Sequence, residues 1–153
     1  MSLEYIIAID QGTSGTKTVI FDSNGGIAAK ASKELKSIYP QIGFVEQDPL
    51  EIYDNVLGSL KLCLDKLKGS GFNDIERISV CGISNQRETF VLWDRDGTPL
   101  TNAVVWQCKR SIEICKTLRE SGIEDDIKKS TGLIIDPYFS GTKLLWLYQN
   151  DDT

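Results

Sequence analysis

Residues 5–22 hold two strand-like runs separated by a loop too short for a helix, and this most constrains the fold. Tyr5-Ile6-Ile7-Ala8-Ile9 is almost wholly apolar and reads as a buried strand. Asp10-Gln11-Gly12-Thr13-Ser14-Gly15-Thr16 has loop composition, and Lys17-Thr18-Val19-Ile20-Phe21-Asp22 resumes strand character with β-branched and aromatic residues. Asn24-Gly25-Gly26 tolerates positive φ and predicts a hairpin turn, after which Ile27 to Ser32 returns as a third strand. The chain therefore starts as a β-meander. A P-loop is excluded, because that motif needs Gly-Lys-Ser/Thr opening a helix, whereas Thr18-Val19-Ile20 opens a strand.

Further on, Asp48-Pro49-Leu50-Glu51 is a helix start, with Asp48 as N-cap, Pro49 in the first helical position and Glu51 completing a capping box. Tyr53, Val56, Leu57, Leu60, Leu64 and Leu67 recur at helical spacing, and Gly69 is the expected stop. Ile78 to Ser84 reads as another buried strand, Thr89 to Trp93 and Ala103 to Trp106 as shorter ones. Helices are expected around Ile112, Cys115 and Leu118, again up to Gly132, and from Pro137 through Tyr148. Strands first, then helices, with one helical crossover, give an α/β or α+β protein rather than a bundle or sandwich.

The 153 residues, 41% hydrophobic and 25% charged, suffice for one globular core. The net charge of -5 argues against a nucleic-acid partner, which calls for a basic face. The complete lack of histidine excludes a Ser-His-Asp triad and histidine metal sites. Cys63, Cys81, Cys108 and Cys115 match no zinc spacing and lie in apolar patterns, so they read as buried free thiols. No apolar run approaches the ~18 residues of a membrane span, and the start lacks a signal-peptide pattern, so no membrane partner and a cytoplasmic location are expected. Met1-Ser2-Leu3 has the composition of a cloning scar.

Chemistry concentrates in two places. In the first loop, Gly12 and Gly15 let backbone N–H groups turn toward an anion, Thr13 and Ser14 add hydroxyl donors, and Lys17 supplies a charge. Asp10, at the end of a buried strand, is placed to hold Mg²⁺ through its waters. The same residues also suit an ordinary hairpin. The second place is Arg87-Glu88, a charged break in a strand, which is either a solvated pair or a polar grip. Lys109-Arg110 reads as a solvated helix start, and Trp106 by itself as core.

Four stretches carry a resemblance. They are Tyr39 to Pro49, Ile83-Ser84-Asn85-Gln86-Arg87-Glu88-Thr89, Asn102 to Arg110, and Thr131-Gly132-Leu133-Ile134-Ile135-Asp136-Pro137-Tyr138-Phe139-Ser140-Gly141-Thr142-Lys143. In order and approximate spacing they resemble the FGGY carbohydrate kinases, most of all those that act on glycerol. The resemblance implies an actin-like ATPase (ribonuclease H-like) domain with a mixed sheet, an N-terminal β-meander and packed helices. It implies that residues 1–153 are the N-terminal portion of the first domain of a two-domain kinase, with the adenine-binding domain and the catalytic aspartate beyond Thr153.

It further implies ATP and Mg²⁺ as cofactors and glycerol as substrate, with Arg87, Glu88 and Tyr138 on the hydroxyls and Trp106 against the carbon backbone. A hydroxyl donates to a carboxylate and accepts from a guanidinium, so this pair suits a polyol. Gly12, Thr13, Ser14, Gly15 and Lys17 then face nucleotide phosphates, and Asp10 the metal. Gly15 and Lys17 depart from the glycerol-phosphorylating members, which usually carry Ser and Arg there, and are nearer the family's sugar kinases. Phe44 stands where tryptophan is commoner. The parent is expected to form homo-oligomers, and the chain on its own to self-associate and to be inactive. Another polyol or sugar kinase, or a non-catalytic actin-like nucleotide-binding module, is the alternative.

Overall fold

The computed structural model describes residues 4–71 and 75–150, so the Met1-Ser2-Leu3 segment and Thr153 lie outside the described residues. Two compact units share the chain in place of the expected single core: Met1–Lys36 with Asp48–Gln86, and Ser37–Gln47 with Arg87–Thr153.

The first unit is a sheet with one long helix. Strands β1 (Tyr5–Gln11), β2 (Gly15–Asp22) and β3 (Ile27–Glu34) form the expected antiparallel meander. The turn before β3 forms as read: Gly25 takes φ 80°, and the Asp22 carboxylate accepts from the Asn24 and Gly26 amides at 2.8 and 2.9 Å. Helix α1 (Pro49–Gly69) crosses over to a strand pairing parallel with β1, giving a mixed sheet. Asp48 caps α1 by accepting the Leu50 amide. Gly69 is still helical; Ser70 closes the helix by donating to the Leu67 carbonyl, and Gly71 takes the left-handed turn at φ 93°.

Of the expected apolar face of α1, Leu67 is buried and Val56, Leu60 and Leu64 pack against the core, but the centre of the buried stripe is more polar than expected. Asn55, Ser59, Cys63 and Leu67 are buried at four-residue spacing, while Tyr53 and Leu57 are exposed. Small sheet residues explain this. Thr18, Ala29 and Ala31 let the helix approach closely, so Ser59 meets Thr18 hydroxyl to hydroxyl at 2.8 Å. Asn55 donates to the Glu34 carbonyl at 2.8 Å, satisfying a polar group that would be costly to bury alone. Ile7, Ile9, Ile20 and Cys63 complete this core, and burial pushes the Cys63 thiol pKa up.

In the second unit, β4 (Glu46–Gln47) pairs antiparallel with β5 (Ala103–Val104). The parallel strand of the first unit is Ile78–Asn85, which pairs with β1. It was expected to be buried, yet Val80 and Ile83 are 56% and 65% exposed and Cys81 is exposed too. It is an edge strand, and α1 packs over β1, β2 and β3 instead. Thr89 to Trp93 forms only isolated bridges, Phe90 to Val104 and Trp93 to Pro99, in place of a strand. Helices α2 (Ile112–Glu120), α3 (Glu124–Thr131) and α4 (Ser140–Asn150) follow. Gly132 ends α3 in the left-handed region as expected, whereas α4 starts at Ser140 rather than near Pro137. Val104, Cys108 and Leu147 form this unit's core with Phe44, Phe90 and Trp146 around them.

Candidate functional site

The first-loop residues form a cradle within the first unit. The loop is tighter than its composition suggests. β1 runs to Gln11 and β2 starts at Gly15, leaving Gly12-Thr13-Ser14 as the turn, closed by the Gly12 amide on the Gly15 carbonyl at 2.9 Å. A cavity of about 260 Å³ opens beside it, lined by Asp10, Gly12, Ser14, Gly15 and Lys17. Thr13 belongs to the turn but not to that lining. Thr16, Ser32, Lys33 and Glu34 join the wall and were not singled out by sequence reasoning.

Gly15 has a steric reason to be glycine. A Cβ there would collide with the Lys33 carbonyl oxygen and lie 3.2 Å from Glu34 Cα, because β3 presses against the turn. The hydroxyl missing at position 15 thus follows from strand packing. Thr16 is buried, and its Oγ1 has no hydrogen-bond partner among the described residues. A buried hydroxyl without a partner at the wall of a polar cavity suits an anionic ligand that brings acceptor oxygens. Gln11 is buried behind the turn and accepts from Gln86 through both its backbone and its side chain, at 2.8 and 3.4 Å. Asp10 is exposed, and no cluster of three carboxylate, cysteine or histidine groups exists among the described residues. A lone carboxylate does not make an all-protein metal site; it could hold Mg²⁺ only where the ion's other ligands come from water or a bound anion.

The residues expected to face substrate lie in the second unit. Glu88 is half-buried, and its carboxylate Oε2 accepts the Ser140 amide at 2.9 Å and the Ser140 hydroxyl at 2.7 Å. The carboxylate thereby sits at the N-terminus of α4, where the helix dipole favours negative charge. Hydrogen bonding to Ser140, reinforced by the Lys143 charge, holds the Glu88 pKa below the ordinary glutamate value. Glu88 also adopts φ 61°, a left-handed conformation that a residue with a Cβ takes only when its surroundings impose it. Tyr138 stands edge-on to Trp106 with ring centroids 5.7 Å apart, and to Phe139 at 5.1 Å. Thr89, next to Glu88, accepts the Trp106 amide at 3.2 Å.

Glu88, Trp106 and Tyr138 are thus linked through Ser140, Thr89 and ring contacts. Arg87 is exposed, forms no ion pair with Glu88 among the described residues, and is not joined to this group.

Sequence reasoning missed two residues here. Ser140 and Lys143 lay inside the quoted stretch without a role. Lys143 and Leu147 are both buried, one helical turn apart on α4, so a lysine on the apolar face was the available signal. Arg110, read as solvated, is buried instead. It pairs with Glu46 and lies beside two rings that meet edge-on, those of Phe44 and Trp146, 4.5 and 5.1 Å from their centroids. The cation is attracted to the ring electrons, and one of its N–H groups donates to the Glu46 carboxylate, whose other oxygen accepts from Asn102.

A strand–turn–strand cradle on a mixed sheet whose crossover helix returns to a parallel strand is the architecture of actin-like ATPases. Residues 5–153 match the model of the FGGY family of carbohydrate kinases, N-terminal domain, and the chain belongs to that family. It is 44% identical over 151 residues to a glycerol kinase of Shewanella sediminis, which covers 98% of this chain and 30% of that protein. A Halothermothrix orenii glycerol kinase is 45% identical with the same coverage. Among solved structures, Plasmodium falciparum glycerol kinase with ADP superposes with a TM-score of 0.86 at 33% identity, over 98% of this chain and 29% of that one. A Lactobacillus acidophilus gluconate kinase gives 0.83 at 30% identity, over 97% and 29%. The chain therefore spans about 30% of the length of the curated relatives it matches. Among the described residues no helix is long and apolar enough to cross a membrane.

Proposed function

We propose that this chain is the N-terminal portion of the first domain of a longer kinase. That kinase transfers the γ-phosphoryl group of Mg·ATP to a terminal hydroxyl of glycerol, giving sn-glycerol 3-phosphate and ADP. The observation that carries the reading is the grouping of Glu88, Trp106 and Tyr138 around the start of α4, which a nucleotide switch would not need. The kinases named above support it. In this reading the Glu88 carboxylate accepts a substrate hydroxyl, Arg87 donates to a neighbouring one, Tyr138 adds a hydroxyl, and the Trp106 ring covers the carbons.

The cradle of Gly12, Ser14, Gly15 and Lys17 receives phosphate oxygens, with Thr13 at its turn and Asp10 toward the metal. When bound, Mg·ATP supplies the phosphoryl group and the cation that offsets its charge. The proton acceptor for the attacking hydroxyl lies outside these residues. The chain alone is accordingly expected to be inactive.

Gly15 and Lys17, together with the likeness to a gluconate kinase, favour a second reading, in which the substrate is a sugar or sugar acid. The test is to assay a full-length kinase carrying this chain with Mg·ATP against glycerol, a five-carbon ketose and a hexonate. Preference for glycerol supports the reading. Preference for either of the others overturns the glycerol assignment, and no turnover on any overturns the kinase assignment.

A further inference from the structure

Carbonyl oxygens from three separate stretches of the second unit converge on one ammonium group. Lys143 is 0% exposed, and its Nζ donates to the carbonyls of Tyr138 at 2.8 Å, Glu88 at 3.3 Å and Val105 at 3.5 Å. Two of these residues are the substrate-side Glu88 and Tyr138, and the third precedes Trp106. We propose that Lys143 is a positioning residue, whose buried ammonium clamps the backbone segments that present Glu88, Trp106 and Tyr138 to the substrate. The proposal deepens the polyol-binding reading above and rests on it.

The chemistry of the clamp is specific to a protonated lysine. An ammonium has three N–H donors, one for each carbonyl, whereas the neutral amine has two. The clamp also accounts for the backbone at Glu88. A left-handed residue with a side chain needs outside constraint, and Lys143 holds its carbonyl while Ser140 holds its carboxylate. The charged and titratable groups facing Lys143 are Cys108, Glu88, Arg110 and Asp136. Burial lowers its pKa to about 8, partly opposed by Cys108 and Glu88. One donor is therefore lost within the range over which kinases can be assayed, and the clamp loosens above pH 8.

The test uses a full-length kinase carrying this chain and the variant Lys143→Met, which keeps the stem and removes the donors. Wild type is first ranked on the three substrates above and its preferred one is used, so an error about glycerol appears in the wild type alone. The variant is expected to raise the substrate KM about tenfold while the ATP KM stays within about twofold, as when binding of one substrate alone is lost. The wild-type substrate KM is expected to climb between about pH 7 and about pH 9.5, and that of the variant to stay flat. Backbone amide exchange should quicken around Glu88, Val105 and Tyr138 together and remain unchanged in β1, β2 and β3. That readout stands whether or not any substrate is turned over.

A lysine that merely fills space would lower the melting temperature and leave the substrate KM, its pH profile and the exchange at Glu88 and Val105 unmoved. That result overturns the proposal. If the variant fails to fold, a wild-type substrate KM that is flat across the same pH range overturns it equally.

Discussion

The Glu88 carboxylate accepts the Ser140 backbone amide and the Ser140 hydroxyl together, at 2.9 and 2.7 Å, so one side chain both caps α4 and faces the proposed substrate. In the proposed reading the cap and the substrate contact fall on one carboxylate, which makes their separation by mutation informative. Glu88→Ala should cost about 1.5–3 kcal/mol of stability, the scale of a hydrogen bond to a charged group. Glu88→Gln keeps an acceptor for Ser140 and should recover much of that loss without restoring substrate affinity. Thermal melts beside substrate KM values would show whether the two effects part in this way.

Acid should reveal the same contact. The Glu88 pKa is held below its ordinary value of 4.5 by Ser140, so the ionised form is favoured in the folded chain. Such a group contributes its full stability above the unfolded pKa and loses it as pH falls through the folded one. The stability gap between wild type and Glu88→Gln should therefore be constant above pH 4.5 and shrink below it. Melting temperatures of the two proteins across that range provide the check.

Gly15→Ser would restore the hydroxyl usual in the glycerol-phosphorylating members, yet it should harm this protein. The new Cβ meets the Lys33 carbonyl, which belongs to backbone and cannot swing aside. A loss of about 1–3 kcal/mol is expected, as for overpacking elsewhere. Denaturant midpoints of wild type and Gly15→Ser would measure it, and an unchanged midpoint would mean that β3 yields easily.

Breaking the Arg110–Glu46 pair from one side should cost more than either change on the surface. Glu46→Ala leaves a buried guanidinium beside two rings without its carboxylate, and a loss of about 3–5 kcal/mol is typical of such a step. Adding Arg110→Met to Glu46→Ala should recover part of the loss, since the stranded charge is then gone. A double-mutant cycle on unfolding free energy would show the coupling.

The meander, its Asn24-Gly25 turn and the Asp48 cap were legible because each depends on neighbours in sequence. The misread positions share a different cause. Ser59 and Asn55 are buried because Thr18, Ala29 and Ala31 are small, a fact about strands distant in the chain. Arg110 looks solvated until Glu46, Phe44 and Trp146 are brought around it. Val80 and Ile83 read as core, yet their strand is at the sheet edge, which apolar patterning cannot distinguish from the middle. In the proposed site, Glu88 and Tyr138 were singled out by motif likeness. Ser140 donates to a carboxylate 52 residues away and Lys143 to backbone carbonyls of three other residues, and nothing in local composition marks either.

The central claim is that the second unit recognises a polyol through Arg87 and Glu88 while the first-loop cradle serves phosphate. The most direct measurement is steady-state kinetics of Arg87→Ala in a full-length kinase carrying this chain, with glycerol and Mg·ATP varied separately. The account predicts a glycerol KM raised by a factor equivalent to about 1.5–3 kcal/mol, with the ATP KM little changed. Unchanged glycerol kinetics, or a loss confined to ATP, would contradict it.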